Sequence, residues 1–152
     1  MSTQISFETP PVWDRVKEMF TIGGGTLFAY GDTVYNPGKI RIGEDLLRHE
    51  ETHLEQQDGS REKAAEWWDQ YLADPEFRIQ QEVEAYGEQF KFICRNANNG
   101  KYRNQQARWL HALAGQLSSP MYGSVIKHAE AYRRIKDYAS GKSIQHIEKE
   151  LE

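Results

Sequence analysis

The chain has 152 residues, which is enough for one compact domain with its own hydrophobic core over residues 1–152. Its 19 Lys and Arg against 23 Asp and Glu give a net charge of −4, and this disfavours a nucleic-acid-binding protein because such proteins usually carry a basic excess. The single cysteine, Cys94, excludes an intrachain disulfide framework and a cysteine-rich zinc site.

Residues 1–11 carry neither the basic nor the apolar segment of a signal peptide, and no apolar run in the chain reaches the roughly 20 residues of a membrane span. We therefore expect a cytoplasmic protein with no membrane partner.

The N-terminal part is predicted to form a short helix and a small β-meander. Apolar residues at helical spacing predict a helix over residues 11–20. Turn residues separate three β-rich segments, which lie at residues 26–30, 33–35 and 39–42 and predict a meander of two or three strands.

From Gly43 onward the pattern is helical. The predicted helices cover residues 44–57 (the motif helix), about 60 to the Asp74–Pro75 break, 75–95, 102–114 and 124–139. Polar loops are expected at residues 96–100 and 115–123, and a charged tail, helical or frayed, at 143–152. The fold class is thus α+β, a mainly helical single domain whose N-terminal β-meander packs on the motif helix.

The motif helix contains His49-Glu50-Glu51-Thr52-His53, which matches the pattern His-Glu-x-x-His. Residues four apart lie one turn apart on the same helix face, so both imidazoles can reach one metal ion at about 2.0–2.1 Å. Glu50 is too close to His49 to be a third ligand, but it can act as a general base toward water on the metal. In a chain of this composition, the expected number of chance matches to the pattern is about 0.02.

The phase of the motif helix favours a buried site. Leu46, Leu47 and Leu54 define its apolar stripe, and at about 100° per residue Glu50 and both histidines fall on or beside that stripe. The residues expected to face solvent are Arg48, Glu51, Thr52 and Glu55. Buried His and Glu side chains need partners, and a metal ion would be one. The alternative is an exposed helix with two solvated histidines.

A catalytic zinc site needs a third protein ligand and one open position. No third histidine follows the motif, so the ligand is expected to be a carboxylate from helix 75–95, which offers Glu82 and Glu84. Relative to the apolar stripe of that helix, Glu82 lies at the edge of the buried face and Glu84 points away. This favours Glu82, the alternative being that both are ordinary surface acids.

The motif, followed by a helix carrying Glu82-Val83-Glu84-Ala85, resembles the gluzincin group of zinc metallopeptidases, and the likeness covers about residues 26–95. The chain also looks like small metallopeptidases found in bacterial and phage genomes. In many gluzincin-like families the Glu three residues before that Ala is a metal ligand. The resemblance implies a zincin-like fold with His49, His53 and Glu82 holding Zn²⁺ and Glu50 as the base. Two histidines and a carboxylate also suit iron or manganese.

The resemblance implies a zinc metallopeptidase that hydrolyses a peptide or related amide bond of a peptide or protein substrate. A second donor to the oxyanion is expected, and the candidates are Tyr86, Tyr122, His111 and His128. Tyr122 is favoured because it lies in a loop, where functional residues concentrate. The alternatives are a non-catalytic, metal-stabilised structural or assembly module, including one encoded by a phage, and a metal-free helical interaction domain. The presence of Glu50 favours the enzyme.

Overall fold

Six helices form most of the part of the chain described by this computed structural model, which comprises residues 3–97, 100 and 105–141. The helices are α1 (Trp13–Met19), α2 (Glu44–Gln56), α3 (Arg61–Ala73), α4 (Pro75–Arg95), α5 (Gln106–Leu117) and α6 (His128–Ala139). Three short strands are β1 (Gln4–Ser6), β2 (Phe28–Tyr30) and β3 (Thr33–Tyr35). The described residues thus have the mainly helical α+β architecture that was predicted.

The sheet differs from the predicted meander in one strand. Its order is β1-β3-β2, with β2 antiparallel to β3 and β1 parallel to β3. The third strand predicted at residues 39–42 is wrong, and β1, which the sequence pattern missed, pairs with β3 instead. The Asn36 side chain explains this, because it donates to the Ile40 carbonyl at 2.8 Å and accepts from the Ile40 amide at 3.1 Å. It thereby uses both backbone groups that a strand at Ile40 would offer.

The outer edge of β2 is covered by side chains. The Ala29 carbonyl accepts from Nε2 of Gln57 at 3.1 Å and from the Trp68 indole at 2.9 Å, while the amide of Gly31 donates to Oε1 of Gln57 at 2.6 Å. Gly31 opens the tight turn to β3 with a φ of 66°, a conformation that favours glycine. These bonds attach the hairpin to the C-terminal end of α2.

The predicted helix starts around the Asp74–Pro75 break are confirmed. Oδ1 of Asp74 accepts from the amides of Glu76 and Phe77, at 3.0 and 3.2 Å, and Pro75 occupies the first turn of α4. Ser60 caps α3 in the same way.

Other boundaries shift. Helix α1 is shorter than predicted, α5 extends to Leu117 inside the predicted loop 115–123, and α6 begins only at His128. Residues 101–104 and the predicted tail at 143–152 lie outside the described residues. No described helix combines the length and apolar character needed to cross a bilayer.

Two apolar clusters lie on either side of α2. One is built from α4, α5 and α6 with the short 3₁₀ turn Pro120–Tyr122, and the other from α1, β2, β3 and α3. Helix α2 contributes to neither cluster, because its five buried residues are all polar: Asp45, His49, Glu50, Thr52 and His53. It packs most extensively against α4.

The phase expected for the motif helix needs one correction. Leu46, Leu47 and Leu54 are only partly buried, whereas Thr52, expected to face solvent, is buried and donates its hydroxyl to the Arg48 carbonyl at 2.9 Å. The helix is rotated so that its polar residues, rather than its leucines, face α4.

Gly87 sets the close approach of α4 and α6, since a Cβ at this position would collide with the ring of Tyr138. We expect Gly87→Ala to lower the free energy of unfolding by about 1–3 kcal/mol, as overpacked sites do. Gly115→Ala on α5 is the matched control, because its Cβ would meet only Cδ2 of His128 at 4.0 Å. There the gain in helix propensity should stabilise by up to about 1 kcal/mol. Urea unfolding of both variants checks this, and a stabilising Gly87→Ala would contradict it.

Candidate metal centre

Three buried side chains from α2 and α4 converge on one point. Nε2 of His49 lies 3.1 Å and Nε2 of His53 lies 3.0 Å from the same oxygen, Oε1 of Glu82. The possible ligand atoms of these three residues all lie within 4.8 Å of one another, and each residue is at most 5% exposed. The chain therefore brings together the three predicted ligands in a group that could hold a metal ion. Glu84, the alternative, instead accepts from Nε2 of Gln56 at 3.3 Å.

The ring of His49 is oriented by a chain of two polar side chains. Nδ1 of His49 lies 3.0 Å from Oε1 of Gln89, whose Nε2 donates to Oδ2 of Asp45 at 2.9 Å. Because the amide nitrogen of Gln89 is directed to the carboxylate, its oxygen faces the ring and can only accept. Nδ1 of His49 therefore carries a proton, and this tautomer leaves the Nε2 lone pair for a metal.

His53 is held in the same way from the other side. Its Nδ1 lies 2.8 Å from Oε1 of Gln56, and Nε2 of Gln56 donates to the Gln81 carbonyl at 3.0 Å. The oxygen of Gln56 is again the atom that faces the imidazole, so Nδ1 of His53 is the donor. Both histidines thus direct Nε2 toward Glu82.

The number of N–H protons that the two imidazole rings carry indicates whether a cation fits the site. Each of the four ring nitrogens of His49 and His53 faces an oxygen acceptor, but a neutral imidazole carries only one N–H. Without a cation, two neutral rings supply only two protons for these four contacts. A cation among the two Nε2 atoms and Oε1 of Glu82 takes the place of two protons and leaves both rings neutral. Two imidazoles and a carboxylate are a donor set that zinc, iron and manganese accept.

The pKa shifts of the metal-free cluster follow from the same contacts. Burial opposes protonation of His53, but the charge and hydrogen bond of Glu82 outweigh it and raise the pKa of His53 to about 9. Burial alone would raise the pKa of Glu82, yet the charge of His53 and the hydrogen bonds from both histidines hold it well below its usual range. The cluster therefore has a strong preference for positive charge beside Glu82.

Tyr71 completes the cluster, and no sequence pattern predicted this contact. Its hydroxyl donates to Oε2 of Glu82 at 2.6 Å, which leaves Oε1 for a metal. The ring stacks on Trp67, with the ring centroids 4.8 Å apart. Arg78 holds this region by donating to the carbonyls of Tyr71 at 3.0 Å and Tyr122 at 3.3 Å. Because Tyr71 lies on an apolar helix stripe, nothing in the pattern distinguishes it from a core aromatic.

Glu50 is the unsatisfied member of the site. It is 6% exposed, and its Oε2 has no hydrogen-bond partner among the described residues. Burial raises the pKa of the Glu50 carboxyl, against the opposing charges of His49 and His53. Leaving a buried carboxylate oxygen without a partner costs about 1–3 kcal/mol or more, so this oxygen needs a hydrogen-bond donor.

Of the four candidate oxyanion donors, two lie at the site. The hydroxyls of Tyr86 and Tyr122 are 2.7 Å apart, and the ring of Tyr86 lies 4.4 Å from that of His49. His111 and His128 contact each other instead, and neither lines the cavity beside the cluster.

The cluster opens into a cavity of about 790 Å³. His49, Glu50, His53, Glu82 and Tyr122 all line it. This volume is in the range of sites that enclose a small ligand or a few residues of a peptide. The predicted ligands, the predicted base and the favoured tyrosine therefore share one concave site.

Comparisons of the chain with protein-family models, with curated proteins and with solved structures found no match.

Glu82 and Glu84 offer a direct test of the third ligand. Groups that only orient a ligand usually contribute about 10–100-fold to metal affinity, so we expect Glu82→Ala to weaken Zn²⁺ binding by at least about 100-fold. Glu84→Ala, on the same helix, should change it by less than about 10-fold. Competition with a chromophoric chelator measures both affinities. Loss of binding in Glu84→Ala alone would contradict the assignment.

The stability of the metal-free protein should depend on pH through His53. A folded-state pKa of about 9, above the ordinary 6.5, gives stability that is complete below pH 6.5 and is lost as the pH rises through 9. Glu82, whose pKa is lowered, contributes stability that is lost only in acid. At about 1.4 kcal/mol per pKa unit, we expect the free energy of unfolding to fall by up to about 3 kcal/mol.

Urea unfolding in the presence of a chelator, from pH 6 to 10, measures this loss. The His53→Gln variant is the control and should have a flatter profile. A wild-type profile as flat as that of His53→Gln would contradict the assignment.

Proposed function

We propose that the protein is a zinc-dependent metallopeptidase of the gluzincin-like type, which hydrolyses a peptide or related amide bond. The observation that carries this proposal is the position of Glu50. It is a buried carboxylate, one oxygen of which has no hydrogen-bond partner in the described part of the chain, it lies next to a three-ligand cluster, and both line one cavity. A site needed only for folding would gain nothing from an unsatisfied carboxylate beside its ligands.

The composition of the cluster supports zinc as the metal. Two imidazoles and one carboxylate are the protein ligands of one class of catalytic zinc site, and three ligands leave a coordination position open. His49, His53 and Glu82 would hold the ion. When bound, Zn²⁺ would supply a Lewis acid that makes a water molecule more acidic and polarises the substrate carbonyl.

Glu50 would serve as the general base. Burial raises its pKa, and a carboxyl with a raised pKa accepts and returns a proton more readily near neutral pH. It would take the proton from the attacking water and then pass it to the departing amine. The same carboxylate would thereby act as base and then as acid, which is why its unpartnered oxygen matters.

Tyr122 is the residue we assign to the oxyanion. Burial, together with the negative charge of Glu82, raises the pKa of its hydroxyl, so that it stays protonated and can donate. Its contact with the hydroxyl of Tyr86 fixes its position at the cavity wall. In the reaction it would donate a hydrogen bond to the charge that develops on the carbonyl oxygen.

Glu50→Gln tests the proposal. We expect this variant to keep its zinc and to lose about 10²–10⁴-fold in kcat/KM, because an amide cannot accept the proton. Glu51→Gln is the matched control: this neighbouring acid is bonded to Thr3 Oγ1 at 2.8 Å, and its loss should leave the rate within about 3-fold. The measurements are zinc content and hydrolysis of a mixed peptide library. A zinc-loaded wild type that cleaves no peptide would favour the non-catalytic, metal-stabilised module instead.

A further inference from the structure

The position of the cavity in the fold determines what can bind beside the cluster. Elements pack in the order β2, α2, α4 and α5, and the cavity has lining residues from all four. The ligand cluster belongs to α2 and α4, in the middle of this order. A ligand that reaches the cluster therefore has one wall on the side of β2 and another on the side of α5.

Both walls are mainly apolar, although Thr21 and Thr26 on the β2 side and Gln116 and Ser119 on the α5 side also line the cavity. On the β2 side the lining includes Phe20, Ile22 and Leu27, from the segment between α1 and β2. On the α5 side it includes Trp109, Leu113 and Met121. Burying a ligand side chain against either wall stabilises the complex only when that side chain is itself apolar. The stabilisation is about 25 cal/mol per Å² of buried apolar surface.

The charges around the cavity also disfavour the binding of charged side chains. Among the described residues that line it there is no Lys or Arg, and its carboxylates are Asp45, Glu50 and Glu82. An acidic side chain, or the free carboxylate of a C-terminal residue, would find no cationic side chain there and would face negative charge. A basic side chain would lose its hydration against the apolar part of the walls, and Asp45 and Glu82 already accept hydrogen bonds from Gln89 and Tyr71. The remaining carboxylate, Glu50, is the general base of the proposed function, and a basic side chain paired with it would compete with that role.

We infer that the substrate is an internal segment of polypeptide with uncharged, apolar side chains on both sides of the bond that is cleaved. The inference rests on the proposed function and adds the class of its substrate. It makes the enzyme an endopeptidase, because a carboxypeptidase must accommodate a terminal carboxylate next to the scissile bond.

The first test uses internally quenched peptides that differ only at the two residues flanking the central bond. The pairs are Leu-Leu, Glu-Leu, Leu-Glu, Lys-Leu and Leu-Lys, and one further Leu-Leu peptide ends in a free carboxylate directly after the second leucine. We expect kcat/KM for the internal Leu-Leu bond to be at least about 10-fold higher than for every other member. Equal or faster cleavage of a charged member, or of the terminal one, overturns the inference.

A binding measurement separates recognition from turnover. The probes are leucine, glutamate and lysine dipeptide hydroxamates, in which the metal-binding group is constant and only the side chain differs. Trp67, Trp68 and Trp109 line the cavity, so the intrinsic fluorescence of the zinc-loaded protein should report occupancy. We expect the leucine probe to bind at least about 10-fold more tightly than the other two. Equal affinities overturn the inference.

The most specific variant places a charged side chain in the cavity wall. Met121 is half-buried and lines the cavity, so Met121→Lys should shift the ratio of glutamate-probe to leucine-probe affinity by at least about 10-fold toward glutamate. Met19→Lys adds the same charge at an exposed residue outside the lining and should leave the ratio unchanged. An unchanged ratio in Met121→Lys overturns the inference but not the proposed function. A wild type without zinc, or one that cleaves none of the peptides, overturns both.

Discussion

The buried polar face of α2 is the constraint on which the rest of the structure depends. This helix buries five polar residues and contributes to neither apolar cluster, so hydrophobic burial cannot hold it in place by itself. Polar groups taken out of water must find partners or cost several kcal/mol each. Helix α4 supplies these partners through Glu82 and Gln89, and this fixes how the two helices face each other.

The same constraint links the stability of the fold to the chemistry of its site. Gln89 and Gln56 direct their amide oxygens to Nδ1 of the two histidines, and this leaves both Nε2 atoms directed at Glu82. The contacts that satisfy the helix are therefore the contacts that prepare a cation site. Glu50 is the exception, since its Oε2 finds no hydrogen-bond partner among the residues that the structure describes.

Where sequence patterns failed, hydrogen bonds that a hydrophobic pattern does not record had overridden it. Residues 39–42 alternate like a strand, but the side chain of Asn36 bonds to both backbone groups of Ile40, and β1 pairs with β3 in its place. The leucine stripe of α2 correctly predicted that His49, Glu50 and His53 face the interior, but it wrongly placed Thr52 toward solvent. Helical phase identified Glu82 correctly as the member of the cluster, since the apolar stripe of α4 does face the core.

The sequence by itself determined the spacing of His49 and His53, the carboxylate between them and the helix that carries Glu82, because helical periodicity is a local property of the chain. It also determined the helix caps at Ser60 and Asp74, which depend on neighbouring residues alone. Only the tertiary structure decided that Tyr71 bonds to Glu82, that Gln89 orients His49 and that Oε2 of Glu50 has no partner within the described ranges of the chain. These contacts join different helices or depend on how the helices pack, and no local pattern in a chain encodes which distant side chains will meet.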